Sequence, residues 1–225
     1  MDGPWRSVEH VLPESLGNTE LILPRGVVCD GCNNGRLAPL DEALVQFEPI
    51  AMLRTVLFVP RKNGKLPTVR FSNAHLTARE DNTLLIDNQT NKRAMTGGPR
   101  KSQLDLVGRQ VTPKRTRVLV RALYKAALEL IWLDHRDRLA MAPLMDPVRR
   151  MVLGEEEFSG YLAMTKRGGE PRRESSFTYQ FVDIDGSTTL ALCAELFGLQ
   201  LFTDTHHRTV RDPDAVREEF NLVEF

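Results

Sequence analysis

From residue 114 to residue 134, apolar side chains return at helical spacing: Val118, Leu119, Ala122, Leu123, Ala126, Ala127, Leu130 and Ile131. The 3.6-residue period predicts a long helix with a broad apolar face. Such a face has to be covered by other elements, so the chain must fold around it. Pro113 stands just before this helix, and Lys114, Arg115, Arg117, Arg121 and Lys125 crowd its early turns. Cations there oppose the helix dipole, so helix stability does not account for them; a phosphate partner would, and so would chance. With 225 residues, 41% hydrophobic and 27% charged, the chain has room for one large domain or two small ones and reads as an ordinary soluble globular protein.

The remaining pattern mixes strands and helices. Residues 6 to 12 read as a short strand with Val8, His10 and Leu12 on one side and Glu9 and Val11 on the other. Turn chemistry follows at Pro13 and at Leu16-Gly17-Asn18, then a brief apolar run at Leu21-Ile22-Leu23. After Cys29-Asp30-Gly31-Cys32-Asn33, the spacing of Leu40, Ala43, Leu44 and Phe47 predicts a helix. Residues 50 to 95 read as β-rich, with strands at Thr55 to Val59, Thr68 to Phe71 and Leu84 to Ile86, and turns at Asn63-Gly64 and Asp81-Asn82. Residues 88 to 113 are the best linker. A helix is expected over Asp146 to Leu153, strands at Tyr161 to Met164, Phe177 to Val182, Thr188 to Leu192 and Gly198 to Phe202, and a short helix in the charged tail from Asp212.

A net charge of zero hides a gradient. Residues 1 to 60 carry four arginines against eight acids, residues 61 to 125 fifteen Lys/Arg against four, and the remainder eleven against eighteen. A basic middle third is the footprint of a surface that meets phosphates, and equally of a solvated face. No apolar run is long enough to span a bilayer and no secretory leader is visible, so no membrane partner is expected. Three cysteines, two of them in a C-x-x-C pair, fit a reduced cytoplasm better than a disulfide framework.

The residues most suited to chemistry are Glu9-His10 and, beginning 19 residues after His10, Cys29-x-x-Cys32-Asn33. Phosphodiester hydrolysis needs a base near neutral pH, for which histidine is best matched. It also needs a divalent cation to offset developing charge. A hard ion such as Mg²⁺ takes oxygen ligands, which Glu9 and Asn33 can supply. Strand alternation sets Glu9 and His10 on opposite faces, so both address one site only if the strand twists or bulges.

The run Glu9-His10-Val11-Leu12-Pro13-Glu14-Ser15-Leu16-Gly17, then Val28-Cys29-Asp30-Gly31-Cys32-Asn33-Asn34 and Leu40-Asp41, resembles the HNH endonuclease superfamily. It is closest to the subgroup written E-H-(I/V)-(I/L)-P-x-x-L-G … C-x-x-C-N … (L/I)-D. The resemblance covers about 35 residues, roughly a sixth of the chain. It implies an α+β fold, with an N-terminal ββα-metal module at residues 1–48 and a mixed domain of unknown topology at residues 49–225. It further implies that His10 is the general base, that Glu9 and Asn33 hold a catalytic Mg²⁺ or Mn²⁺, and that DNA is the substrate. Arg121-Ala122-Leu123-Tyr124-Lys125-Ala126-Ala127 is similar to an R-x-L-x-K-(A/I)-A helix found downstream in that subgroup. The basic segment 92–125, with Arg100, Lys101, Lys114, Arg115, Arg117 and Arg121, is expected to hold the nucleic-acid backbone.

Two positions depart from the family pattern. Members often carry an upstream C-x-x-C that completes a structural zinc site; here Cys29 and Cys32 are half of one, and tetrahedral Zn²⁺ needs two more ligands. Either the natural chain begins further upstream or the module has lost its zinc; Cys193 is a distant third thiol. Many members also place an asparagine five residues before the first cysteine to orient the base; here that position is Pro24, and Asn18 substitutes only if its turn folds back. These departures favour an alternative reading, a nucleic-acid-binding protein with an inactive HNH module. A redox role for Cys29 and Cys32 ranks last, since it requires a depressed thiol pKa and a thioredoxin-like context. His75 and His135 read as isolated residues, His206-His207 near Asp204 as a polar loop, and Asp183-x-Asp185-Gly186 as a hairpin turn rather than a calcium loop.

Overall fold

The computed structural model describes residues 4–88, 106–108, 111–158, 160–166, 168–184, 186–205 and 221–224. Its fold is α+β. Helix α3 (Pro113–His135) begins where Thr112 Oγ1 accepts a hydrogen bond from the Arg115 N–H, an N-cap that satisfies one of the free donors of the first turn. As the apolar period requires, its broad face is covered on several sides. Leu119, Val120, Leu123, Ala126, Ala127 and Ile131 share one core with the N-terminal segment (Val11, Leu12, Leu16), helix α1 (Ala38–Val45) and helix α5 (Asp146–Leu153). A C-terminal sheet supplies the remaining cover through Leu162, Phe177, Leu190, Leu192 and Leu201.

That sheet is antiparallel with strand order β10-β6-β9-β8-β7, built from β6 (Tyr161–Lys166), β7 (Ser175–Ile184), β8 (Ser187–Leu196), β9 (Leu199–Asp204) and β10 (Asn221–Glu224). The turn between β8 and β9 is two residues long, and both Phe197 (φ 58°) and Gly198 (φ 85°) lie at positive φ, as a tight hairpin demands. A non-glycine residue is held there because the Phe197 ring is fully buried in the core. A smaller sheet, β3 (Thr68–Arg70), β4 (Ala74–Ala78) and β5 (Leu84–Asn88), packs Val69, Phe71 and Leu76 against Ala51 and Met52 of helix α2 (Glu48–Val56). A single short helix, α4 (Asp137–Ala140), follows α3.

Of the strand expected at Thr55 to Val59, Thr55 and Val56 instead end α2 and the chain then turns. Glu48-Pro49 at the first turn is a helix-start signal, and the β-branched Thr55 is accommodated because its hydroxyl donates back to Ala51 O at 2.7 Å. The helix stops where Phe58 turns to φ 54° and the Val59 N–H reaches Arg54 O. Strand β4 is an element that the β-rich reading of residues 50 to 95 did not place. Asn63-Gly64 does turn the chain, the Arg61 N–H reaching Lys65 O at 2.8 Å, and Asn82 (φ 58°) turns β4 into β5. Of the linker expected over residues 88 to 113, the part around Gly97-Gly98 lies outside the described residues, while Val107 O accepts from the Ser72 N–H and Pro113 begins α3. The helix expected from Asp212, except that 221–224 form β10, and the His206-His207 loop also lie outside them.

Candidate functional site

The expected strand over residues 6 to 12 shrinks to a two-residue pair. Strand β1 (Glu9–His10) faces β2 (Ile22–Leu23) in antiparallel register, Glu9 opposite Leu23 and His10 opposite Ile22. Alternation ends immediately afterwards: Val11 and Leu12 are both buried, at 1% and 2% exposure, while Val8 is exposed. The loop between the two strands is held by Asn18. Its amide donates to Leu12 O (2.8 Å) and Leu21 O (3.1 Å), and its carbonyl accepts from the N–H groups of Glu20 and Leu21. Asn18 therefore does fold back, but its bonds fasten loop backbone rather than orient the His10 ring. Pro24 is exposed.

Beyond β2 the chain makes its cysteine knuckle and enters a π-helical turn, Cys32–Leu37, which runs directly into α1. Asp30 ties the knuckle to the N-terminal segment, its Oδ1 accepting from the Arg6 and Ser7 N–H groups and the Ser7 hydroxyl. These bonds hold the Asp30 carboxyl below the usual range, with the Ser7 hydroxyl the first cause. The Cys32 N–H reaches Cys29 Sγ at 3.3 Å and holds the Cys29 thiol low, while burial pushes that of Cys32 up. All three cysteines are free thiols. Among the described residues, no group of three or more His, Cys, Asp or Glu side chains is arranged to hold a metal ion, so the knuckle gains no third zinc ligand there.

Asn33 sits at the start of the π-helical turn and donates its amide to Val8 O (3.1 Å) and Ser7 Oγ (3.3 Å). That bond spends the amide nitrogen and pins the residue beside β1. Glu9, His10 and Asn33 consequently line one cavity of about 180 Å³, together with Glu14, Ser15, Asp41 and Lys62. The consecutive Glu9 and His10 thus both reach this space although they are neighbours on a strand. Within it, His10 Nδ1 is buried without a hydrogen-bond partner among the described residues.

Behind this cavity lies a charge cluster that residue spacing did not reveal. Lys125, at 1% exposure, projects from α3 and forms ion pairs with Glu9, with Asp41 of α1 (2.8 Å) and with Glu129 one turn further along α3 (3.5 Å). Its ammonium also donates to His10 O at 3.0 Å. Burial raises the pKa of all three carboxyls, with Lys125 opposing the shift. Burial alone would lower the pKa of Lys125; the three carboxylates outweigh it and raise that pKa. Fully ionised, the cluster holds one positive charge against three negative ones.

The cations expected to meet nucleic acid fare differently. Lys114 and Arg115 are exposed at the start of α3, and Arg117 is half-buried beside them. Arg121 turns inward, its Nη2 donating to Val152 O at 2.8 Å, where it closes the C-terminal end of α5. Its guanidinium fills the space above Gly154, so it is held for structure and not presented to a ligand. Lys125 is buried as described, and Arg100 and Lys101 lie outside the described residues. His75 belongs to β4 and His135 ends α3. No helix among the described residues is long and apolar enough to cross a membrane. Compared with family models, with characterised proteins and with solved structures, the chain matches none.

Proposed function

We propose that this chain is a metal-dependent endonuclease of the HNH type, hydrolysing phosphodiester bonds in DNA. The observation that carries the reading is the convergence of Glu9, His10 and Asn33 on one small cavity, from positions that the resemblance marks as ligand, base and ligand. The hairpin of β1 and β2 followed by the Cys32–Val45 helical run is the order of elements that a ββα-metal module requires.

The donor set suits a hard divalent ion. Mg²⁺ keeps several waters and is held through one or two carboxylates with substrate phosphate, so Glu9 and Asn33 suffice without a third acidic ligand. Glu14 and Asp41, which line the cavity beside Glu9, add carboxylate oxygens near the ion. When bound, the ion offsets the charge that develops on the phosphorane and leaving oxygen. His10 accepts the proton of the attacking water. Lys125 grips both the Glu9 carboxylate and the His10 carbonyl, so the two consecutive residues are positioned from one point on α3. Cys29 and Cys32 hold the knuckle, and zinc enters this mechanism nowhere.

One observation favours the alternative, a nucleic-acid-binding protein with an inactive module: the Glu9 carboxylate is already paired with the Lys125 ammonium. A plasmid-nicking assay in Mg²⁺ or Mn²⁺ separates the two. The nuclease reading expects metal-dependent nicking that disappears in His10→Ala. Binding without nicking, in every divalent metal tried, refutes it in favour of the alternative.

A further inference from the structure

A second, larger cleft of about 840 Å³ lies between α2 and the small sheet. Ser15 and Lys62 line both this cleft and the Glu9–His10–Asn33 cavity, so the two adjoin. Its cationic lining comes from Arg54 of α2, Arg61 and Lys62 of the turn after it, and Arg70 of β3, against the carboxylates of Glu42 and Glu48. Arg54 is the telling residue. It is only 4% exposed, its Nε donates to Val59 O at 3.3 Å, and its Nη2 is buried with no hydrogen-bond partner among the described residues. Burial, then the neighbouring Arg61, lowers its pKa, and Glu42 opposes the shift without cancelling it. A buried guanidinium with one nitrogen left unbonded is costly, and it is the side chain best shaped to take two phosphate oxygens at once.

We propose that this cleft is the track for a nucleic-acid strand, with Arg54 gripping one backbone phosphate and Arg61 and Lys62 leading the strand toward the cavity at His10. The proposal deepens the nuclease reading and rests on it for the choice of strand over free phosphate. It also relocates the phosphate-binding surface from the start of α3 to the far side of α2. Phosphate contacts of this kind position the strand without reading its sequence.

The test measures binding of a short fluorescein-labelled duplex, and of its single strands, by anisotropy across a salt series without divalent metal. Each lost phosphate contact removes about 0.9 from the slope of log K against log salt, which near 0.15 M salt is worth roughly fivefold in affinity. The exposed pair Arg61→Gln/Lys62→Gln should therefore weaken binding roughly thirtyfold and flatten the slope by about 2. Arg54→Met, shown by circular dichroism to be folded, should weaken binding about fivefold and flatten the salt slope by about 1; an arginine held for structure alone would leave both as they are in the wild type. Competition by inorganic phosphate at concentrations as low as those of the oligonucleotide would assign the site to the free ion and overturn the strand. Unchanged affinity and slope in Arg61→Gln/Lys62→Gln, with the loss appearing in Lys114→Gln/Arg115→Gln instead, would overturn the track, as would a wild-type protein that binds neither duplex nor single strand. Binding that behaves as expected without any nicking would leave the track standing and sink only the nuclease reading.

Discussion

Lys125→Met is the perturbation that tests most of the site at once. Methionine fills a similar volume, so the change isolates the charge. Removing one partner from a buried ion pair costs about 3–5 kcal/mol, because the surviving charge is left without compensation. Here the survivors are Glu9 and Glu129, at 4% and 6% exposure, and the partly exposed Asp41. For a chain of this size each kcal/mol moves the midpoint by roughly 2–4 °C, so thermal unfolding followed by circular dichroism should show a fall of about 10 °C near pH 8. The sign of the pH dependence follows from the carboxyl shifts. All three folded pKa values already stand above their ordinary values of 4.5, 3.8 and 4.5, and losing the ammonium raises them further. A group with a raised folded pKa contributes stability below its unfolded pKa and loses it as pH rises through the folded value. The deficit of Lys125→Met should therefore be largest at neutral to alkaline pH and shrink toward about pH 4–5, where the carboxyls are protonated in both states. Adding Glu129→Gln should restore part of the loss near pH 8. A deficit under about 1 kcal/mol, or one equal at both pH values, would refute the reasoning, since either outcome means that Lys125 does not compensate those carboxylates.

Other expectations follow from single side chains. Asn18→Ala strips hydrogen bonds from four backbone groups of the β1–β2 loop. It should cost about 2 kcal/mol in a urea titration; a loss under a few tenths would mean that the loop holds itself. Asp30→Ala removes the side-chain link from the knuckle to Arg6 and Ser7. Faster amide exchange is expected at the Arg6 and Ser7 N–H groups, whose acceptor it removes, and unchanged exchange would contradict that link. Arg121→Met should lower the midpoint through the freed Val152 carbonyl yet leave the salt slope of oligonucleotide binding as it was; a change of about 1 in that slope would return Arg121 to the nucleic-acid surface.

How much of this was legible depends on whether the information is local. Residues 9 to 33 place their chemistry within one short segment, so Glu9, His10 and Asn33 could be singled out from residue types and spacing. Helix α3 and strands β5 to β9 were legible because hydrophobic period and turn residues are local as well. Helix α2 was misread as a strand from Thr55-Val56, where a start signal at Glu48-Pro49 outweighed β-branching. The charge cluster was hidden for a different reason: Lys125 meets His10 across 115 residues and Asp41 across 84, and no local pattern pairs them. A signal for half of it was nonetheless present. Residues 118, 122, 125 and 129 fall on one helical stripe, so Lys125 and Glu129 stand where Val118 and Ala122 lead one to expect apolar side chains. A lysine and a glutamate one turn apart on the covered face of a helix have to be buried, and a buried ammonium has to find acids elsewhere in the chain. Counting Lys125 with the exposed cations of the first turns concealed that demand. Arg54 makes the converse point: two turns into a short helix, among Ile50, Thr55 and Leu53, its burial is predictable from the amphipathic pattern, but that its Nη2 finds no partner among the described residues is visible only once the surrounding groups have been placed.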